Sequence, residues 1–385
     1  MSADKIIVSG FLIRCPLGGY AWQILHYMVG LRQLGFDPYF VEDTSSFPGC
    51  YDPRTNSDTD DPASGIAFAE EFFARYGFGG RWTFRDIARD RIAGLGRDAR
   101  DALLAEARVV INLAGVNRLP SKPGQQLVFI DFDPAYTQIR AASGDRALLE
   151  LLDEHDALFT LGENIGRPGC RVPTAGFTWH PTRQPIVLDL WSPLAADTPA
   201  AFTTVGRWDE NRREIHFEGE TYSWRKRVEW MKFLALPHRT GARFRVAMDI
   251  AKLPNDLRAL QQNGWEVIDP IALSADAERY HDFICASRGE FTVAKDLNVR
   301  LATGWFSDRS ACYLAAGRPV ITQDTGFDRI FPTGKGLFSV RSTDEAVDAV
   351  HTSGIDLVQE SHAARDIAER FFRAEHVLRE LLSVL

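Results

Sequence analysis

The amino-acid sequence predicts an α/β protein with two domains, each built on a parallel sheet. Its 385 residues are enough for two domains of ordinary size, each with its own hydrophobic core. Short apolar runs, typical of buried strands, alternate with segments whose apolar residues recur at helical spacing. Such alternation indicates parallel strands that are joined by helices.

The first domain is predicted to open with a strand over residues 6–10, a helix over residues 20–34 and a strand over residues 39–41. Gly18 and Gly19 precede the helix, but the GxGxxG spacing of a dinucleotide-binding loop is missing. A flexible turn without a ligand is the alternative interpretation of this pair. The later elements continue the alternation: helices over residues 67–76, 99–107 and 148–153, and strands over residues 108–114, 126–132 and 157–161.

Two segments are predicted to be connections. Residues 45–64 are rich in Asp, Pro, Ser and Gly and predict a long loop, of the kind that often forms a lid or binding loop. Five prolines between residues 173 and 200 indicate an inter-domain linker. The first domain is therefore predicted over residues 1–190 and the second over residues 200–367.

The second domain is predicted to alternate in the same way, and its tail over residues 355–385 has the apolar spacing of helices. The predicted elements are strands over residues 202–205, 243–248, 265–268, 319–322 and 337–340, and helices over residues 257–263, 307–315 and 343–350.

The strongest local signals surround the helix that is predicted over residues 307–315. Ser307 is a good N-cap residue, Gly317 suits a left-handed C-terminal stop, and Pro319 cannot continue the helix. A helix N-terminus offers free N–H donors and partial positive charge to a phosphate, and Ser310 and Arg309 could supplement them. The loop of Asp324, Thr325 and Gly326 follows the next strand, where ligands of open α/β sheets bind. An ordinary capped helix packed on a sheet is the alternative.

The pattern of Ala315, Gly317, Pro319, Val320 and Gly326 resembles the donor-binding half of GT-B glycosyltransferases, closest to the group-1 or spore-maturation-type branch. In that family, a helix ending in A-x-G-x-P-V and a strand ending before a Gly flank the nucleotide sugar. The resemblance implies two Rossmann-like domains that face each other across a cleft. The first would bind the acceptor and the second the donor, and a last helix over residues 368–385 would cross back to the first domain.

The resemblance also implies which cations contact the donor. Family members place an Arg after the first strand of the second domain, and a Lys further on, at the donor phosphates. Arg207 matches the first, and Lys226 matches the second in competition with Arg225 and Arg227. Lys295 follows the region where the family places the nucleotide base. Solvated surface cations are the alternative interpretation of these residues.

One departure from the family is plain in the sequence. Many group-1 members carry two Glu eight residues apart, and the corresponding positions hold Gly304 and Cys312. Ser307, Asp308 and Arg309 are the candidates to substitute for them. The predicted donor-binding residues are Gly18, Gly19, Arg207, Lys226, Lys295, Gly304, Ser307, Asp308, Arg309, Ser310, Asp324, Thr325 and Gly326.

A catalytic base, if the reaction uses one, is predicted among Asp133, Glu163 and His180. The two carboxylates follow first-domain strands, and His180 lies near the linker, where the walls of a cleft would meet. His26 stands among apolar residues of a helix and is better explained as a core histidine. A transferase that retains the anomeric configuration would need no such base.

No metal site or cofactor is predicted besides the substrate, a UDP-, dTDP- or GDP-linked sugar. Asp131 and Asp133 match the DxD pattern that binds a divalent cation in another glycosyltransferase class, but such pairs are common by chance. The five cysteines are widely spaced and suggest reduced thiols.

The net charge of −8 argues against a nucleic-acid partner. No apolar run is long enough to span a membrane, and the N-terminus lacks a signal-peptide layout, so the expected location is the cytoplasm. The expected partners are small molecules, a nucleotide sugar and a hydroxyl acceptor, and the oligomeric state is left open.

The predicted function is sugar transfer from a nucleotide-diphosphate sugar to a small-molecule or glycan hydroxyl. The leaving diphosphate would be stabilised by Arg and Lys side chains and a helix N-terminus. The alternatives are a related phosphorylase or epimerase, and a non-catalytic protein that binds a nucleotide sugar.

Overall fold

The structure, a computed structural model, describes residues 3–45, 49–192, 201–210 and 213–385. In these ranges the chain forms two large sheets, one in each predicted domain, and the parallel pairing within them confirms the predicted α/β class. Pro193 and Pro199 of the predicted linker lie outside the described residues.

The first sheet is built from strands that come from residues 5–181. They are β1 Lys5–Ser9, β2 Asp37–Asp43, β5 Trp82–Asp86, β6 Arg91–Gly94, β7 Val109–Leu113, β8 Gln126–Asp131, β9 Ala157–Thr160 and β10 Trp179–Pro181, and a separate hairpin joins β3 Cys50–Asp52 to β4 Ser57–Thr59. In the described chain the order is β10-β9-β8-β7-β1-β2-β5-β6. The pair β5–β6 is antiparallel, and the other neighbours in this sheet are parallel.

The second sheet is parallel and comes from residues 201–340. Its strands are β11 Ala201–Gly206, β14 Arg243–Met248, β15 Trp265–Ile268, β16 Gly289–Thr292, β17 Val320–Gln323 and β18 Leu337–Val340, and a hairpin of β12 Ile215–Phe217 and β13 Glu220–Tyr222 lies outside it. Within the described residues the order is β15-β14-β11-β16-β17-β18. The order reverses at β11, so the carboxyl ends of β11 and β16 flank the switch point where open α/β sheets bind ligands.

Helices connect the strands of both sheets. They are α1 Gly18–Gln33, α2 Ala63–Arg75, α3 Arg97–Glu106, α4 Tyr136–Ala142, α5 Arg146–Asp153, α6 Lys226–Trp230, α7 Leu236–Thr240, α8 Pro254–Gln262, α9 Pro270–Ser274, α10 Ala277–Cys285, α11 Asp296–Arg300, α12 Asp308–Ala315, α13 Thr343–Ser353, α14 Leu357–Phe371 and α15 Ala374–Leu382. No helix in the described ranges is long and apolar enough to cross a bilayer.

Several elements differ from their predictions. The predicted long loop over residues 45–64 contains the hairpin β3–β4, and the strands β5, β6, β12 and β13 and the helix α4 were not predicted. The hairpin strands β3, β4, β12 and β13 have three residues each, which is too few for a periodic pattern. The predicted helical tail is divided into α14 and α15 at Arg373, which forms a parallel bridge with Ile186 of the first domain.

The last helix crosses back to the first domain, as the fold class implied. α15 packs on α1, where Gly30 faces Ala374 and Leu378. A Cβ on Gly30 would lie 2.6 Å from Leu378 Cδ1 and 2.9 Å from Ala374 Cβ, so the glycine permits this close approach. A single apolar cluster therefore contains buried residues from both domains and from the crossing helix.

Candidate functional site

Arg309, in the first turn of α12, ties this helix to the carboxyl ends of two strands. Its guanidinium donates to Glu290 Oε1 (2.5 Å), to the Val205 carbonyl (2.7 Å) and to Thr292 Oγ1 (3.0 Å). Glu290 is fully buried on β16, and only 10% of the Arg309 side chain is exposed. Burial opposes the charge of Arg309, yet Glu290 outweighs it and raises the guanidinium pKa. The predicted phosphate-binding arginine is thus held in a buried ion pair.

The N-terminus of α12 differs from the prediction in its capping. Ser307 is the N-cap residue by position, but its side chain makes no capping hydrogen bond. Instead, Asp308 Oδ1 accepts the Arg309 N–H at 2.8 Å, and Gln23 of the first domain donates to Asp308 Oδ2 at 3.2 Å. Ser307 therefore holds the predicted N-cap position without the capping hydrogen bond, and the adjacent carboxylate takes a free N–H and complements the helix dipole. Ser310 is buried behind this turn.

Lys226, the first residue of α6, has no counter-ion among the residues that the structure describes. Among the described residues, no carboxylate lies within ion-pairing distance of its ammonium, whose Nζ is 5.6 Å from the centre of the Trp305 ring. Burial lowers the pKa of Lys226 to about 7, and the neighbouring cations Arg309 and Lys295 add to this effect. An anion that binds here would contact an ammonium group that the protein has already partly desolvated.

Lys295 and Asp133 join the two domains beside Lys226. Lys295 Nζ lies 3.3 Å from Asp133 Oδ1 and 3.1 Å from the centre of the Trp224 ring. Arg213, which precedes the hairpin β12–β13, donates to the other oxygen of Asp133 at 3.1 Å. The structure therefore brings a predicted base and a predicted donor-binding lysine into one ion-pair cluster.

Arg207 follows β11 and is exposed. Within the described ranges of the chain its guanidinium makes no hydrogen bond or ion pair. Burial raises the pKa of the Cys15 thiol to about 12, and the positive charge of Arg207 opposes that rise, which places the two residues near each other. Arg207 is thus a second cation, at the carboxyl end of β11, that has no fixed partner in the part of the chain that the structure describes.

The predicted glycine pair of the first domain contacts protein. A Cβ on Gly18 would lie 2.7 Å from Tyr280 Cβ, and one on Gly19 would lie 3.7 Å from the Tyr280 hydroxyl. The first turn of α1 therefore packs on α10 of the second domain. The close approach at Gly18 gives this glycine a structural reason that is independent of any ligand, whereas the contact at Gly19 has ordinary van der Waals length.

The predicted loop at the end of β17 is closely connected to the segment before α12. Asp324 accepts the Gly326 N–H at 2.8 Å and pairs with Arg341. Thr325 accepts the Gly304 N–H at 2.7 Å through its carbonyl, and its hydroxyl donates to the Trp305 carbonyl at 2.6 Å. These contacts fix the position of Trp305, whose ring faces Lys226.

The other candidate bases are engaged elsewhere. Glu163 is buried and accepts a 2.5 Å hydrogen bond from Arg183, and burial raises the pKa of its carboxyl group. His180 lies on the edge strand β10, with its ring 5.2 Å from that of Phe159. Burial lowers the pKa of His26 to about 3, and its Nδ1 accepts the Val187 N–H, as expected for a core histidine.

The two aspartates of the DxD pattern face different groups. Asp131 is buried and accepts hydrogen bonds from Thr137, Gln138 and Thr160, whereas Asp133 faces the cations of the second domain. In the described part of the chain, no group of three or more His, Cys, Asp and Glu side chains is arranged to hold a metal ion.

Several residues of this site were not found by sequence reasoning. They are Glu290, Arg213, Trp224 and Trp305, together with Asn164, whose side chain donates to the Ala302 and Gly326 carbonyls. Asn164 follows the predicted residue Glu163 in a loop after a strand, and Trp305 follows the predicted residue Gly304. Adjacency to a predicted site residue was therefore the one sequence signal that could have indicated these two. Glu290 and Arg213 carry no motif, and their roles follow from contacts over long sequence distances.

No protein-family model matches this chain, and no curated protein sequence matches it either. Solved structures do resemble it over their whole length. An α-glucosyltransferase in complex with UDP and a 13-mer DNA has a TM-score of 0.62 at 11% identity, covering 100% of this chain and 99% of that chain.

Two further structures resemble it similarly. HepE of Anabaena, in complex with UDP-glucose, has a TM-score of 0.56 at 11% identity, with 99% and 100% of the chains covered. AviGT4, a glycosyltransferase involved in avilamycin A biosynthesis, has a TM-score of 0.52 at 12% identity, with 99% and 96% covered. These similarities confirm the predicted fold: the chain has the GT-B fold of glycosyltransferases.

The net charge led to the prediction that nucleic acid is not a partner, and this prediction is wrong. Several structures of the same fold are α-glucosyltransferases in complex with DNA. Net charge sums over the whole surface, whereas contact with a phosphate backbone depends on the charge of one local face. A net charge of −8 therefore does not exclude such a partner.

Proposed function

We propose that this chain is a glycosyltransferase that moves a sugar from a nucleotide-diphosphate sugar to a hydroxyl group of a small molecule or glycan. The second domain binds the donor and the first binds the acceptor. The observation that carries the proposal is Lys226, a half-buried ammonium that no described carboxylate neutralises, beside the switch point of a GT-B fold.

The charge of the leaving group explains why such a cation is needed. When the bond between the anomeric carbon and the diphosphate breaks, negative charge grows on the diphosphate, and a preorganised cation stabilises it. Lys226 and Arg207 lack fixed counter-ions in the described chain, so their charges are available. Arg309 is neutralised by Glu290 and acts mainly by holding the first turn of α12 in place. These side chains stabilise the leaving diphosphate without a metal ion.

Solved structures support a uridine nucleotide as the first probe. The α-glucosyltransferase is bound to UDP and HepE to UDP-glucose, and both share this fold over their full length. Their identity to this chain is 11%, so the choice of base and sugar is part of the proposal.

Asp133 is the proposed base among the three candidates. It is the one that faces the cations of the second domain, and Glu163 and His180 contact first-domain residues. The acceptor oxygen forms a bond to the anomeric carbon, its proton passes to Asp133, and the diphosphate departs with the bonding electrons. Lys295 and Arg213 must release Asp133 for this step.

The ion pairs of Asp133 also favour a second candidate function. Because Asp133 and Glu163 are both paired with cations, a protein that binds a nucleotide sugar without transferring it is consistent with the same geometry. Turnover distinguishes the two functions, since a transferase hydrolyses its donor slowly even without an acceptor.

The test combines binding and turnover. We expect UDP at millimolar concentration to raise the melting temperature, because a ligand of the folded state stabilises it. UDP, GDP and dTDP would be compared, followed by UDP release from UDP-glucose in the presence of EDTA. Asp133→Asn should retain UDP binding and lower turnover by about 10²–10⁴-fold. Binding without turnover would favour the second candidate, and the absence of binding to every nucleotide would contradict both.

A further inference from the structure

The first domain inserts one side chain into the second domain directly behind the proposed donor site. Asn164, in the loop after β9, is 4% exposed. Its Nδ2 donates to the Ala302 carbonyl at 3.1 Å and to the Gly326 carbonyl at 3.0 Å. Its backbone N–H donates to the Thr303 carbonyl at 3.0 Å. Three hydrogen bonds from one residue thus connect the two domains.

The backbone of the second domain is shaped around this side chain. Ala302, Gly304 and Gly326 have φ values of +50°, +76° and +84°, in the left-handed region that favours glycine. A Cβ on Gly304 would lie 2.8 Å from Asn164 Cγ, and a Cβ on Gly326 would lie 2.8 Å from Asn164 Nδ2. The two glycines therefore leave room for Asn164.

A short chain of contacts links Asn164 to Lys226. The Gly304 N–H donates to the Thr325 carbonyl, and the Thr325 hydroxyl donates to the Trp305 carbonyl. The Trp305 ring lies 5.6 Å from Lys226 Nζ. Any shift of the segment around Gly304 would therefore move the ring that faces the Lys226 ammonium.

We propose that Asn164 is a positioning residue for the donor site: inserted from the first domain, it holds the Gly304 and Gly326 loops in the conformation that binds the nucleotide. This inference rests on the proposed function. It implies that donor affinity depends on the docking of the first-domain loop. By reciprocity, nucleotide binding stabilises the contact between the domains.

A double-mutant cycle on the full-length chain tests this role, with UDP as the probe and its Kd measured by calorimetry. Asn164→Ala removes the side-chain hydrogen bonds and should raise the Kd about five- to tenfold. Gly304→Ala should raise it too, because the new Cβ collides with Asn164. In the Asn164→Ala background the same Gly304→Ala change should have a smaller effect, because the side-chain atoms nearest to the new Cβ, Asn164 Cγ and Nδ2, are gone. The 3.0 Å contact with the Asn164 backbone nitrogen and the backbone strain are common to both arms of the cycle.

The readouts separate positioning from general stability. Variants would be compared well below their melting temperatures, with folding checked by circular dichroism, and Asn164→Ser would replace Asn164→Ala if the latter does not fold. Amide hydrogen exchange around residues 302–306 should become faster in the Asn164 variants. An unchanged Kd, or effects of Asn164→Ala and Gly304→Ala that simply add, would overturn the inference while leaving the proposed function intact. If the wild-type protein binds none of UDP, GDP and dTDP, the proposed function fails, and the donor-positioning role fails with it.

Discussion

Two cations near the start of α12 have opposite environments, although the sequence predicted the same role for both. The Arg309 guanidinium donates to three groups and faces a fully buried carboxylate. The Lys226 ammonium has no counter-ion in the described chain, and burial lowers its pKa to about 7. The comparison distinguishes a charge that stabilises the fold, that of Arg309, from a charge that is available to a ligand, that of Lys226.

This difference follows from the cost of burying charge. A buried ion pair is tolerated because its partners compensate each other, and removing one partner leaves the other uncompensated. A half-buried ammonium without a counter-ion has a lowered pKa instead, which is unfavourable for stability and useful for binding an anion. Substitution of Arg309 should therefore affect mainly folding, and substitution of Lys226 mainly binding.

The largest effect is expected for Arg309→Ala. It leaves Glu290 buried without its cation and should lower the free energy of unfolding by about 3–5 kcal/mol, measured by urea denaturation. Arg341→Ala is the matched control, because that arginine is 59% exposed beside Asp324 and Asp328 and should contribute less than about 1 kcal/mol. Equal losses in the two variants would contradict the structural role of Arg309.

The next effect is expected for Lys226→Met. Loss of the cation should weaken UDP binding by about 1.5–3 kcal/mol, as for hydrogen bonds to charged groups, with no loss of free energy of unfolding. Lys335→Ala, at an exposed position, is the control and should bind UDP like the wild-type protein. Calorimetric titration gives both values, and an unaltered Kd in Lys226→Met would remove the main support for the proposed donor site.

A smaller effect is expected from pH. Below pH 7, Lys226 is protonated before the ligand binds; above pH 7, binding must add a proton, so UDP affinity should fall by up to about tenfold per pH unit. Lys226→Arg should flatten this dependence, because arginine stays charged. Titrations in two buffers of different ionisation enthalpy measure the proton uptake directly. Parallel pH profiles in wild type and Lys226→Arg would show that another group titrates.

The free protein should show the opposite sign of pH dependence. The folded pKa of Lys226 lies below its unfolded value, so the unfolded chain binds more protons between pH 7 and about 10. The contribution of Lys226 to the free energy of unfolding therefore rises with pH across this window. Urea denaturation of wild type and Lys226→Met at several pH values isolates that contribution, and identical profiles would argue against a desolvated ammonium.

The smallest effect is expected for Asp133→Asn on binding. Removing this carboxylate frees Lys295 and Arg213 to face the nucleotide, and UDP affinity should increase by about 0.5–1 kcal/mol, the value of a partly exposed ion pair. Asp324→Asn, which removes a carboxylate paired with Arg341 away from Lys295, is the comparison. Weaker binding in Asp133→Asn would mean that this carboxylate helps to hold the donor.

The local sequence was sufficient to predict the secondary-structure elements around α12. Gly317 has the predicted left-handed φ of +63°, and the helix and the following strand occur where their signals predicted them. Ser307 also holds the predicted N-cap position of this helix, but the sequence did not show which side chain accepts the free N–H, because Ser307 and Asp308 are adjacent and side-chain geometry decides between them. The short hairpins escaped prediction because strands of three residues carry no measurable period.

The sequence by itself determined the α/β class, the order of most strands and helices, and the residues that could carry charge near a phosphate. These properties depend on neighbours within a few turns of chain. Only the tertiary structure decided which charges are paired. Asp133 and Lys295 are 162 residues apart in the sequence, and so are Asn164 and Gly326. Each pair is in contact because the two domains pack against each other. The energy of a charge depends on what surrounds it in space, and that surrounding is fixed only when the sheets and the crossing helix have packed.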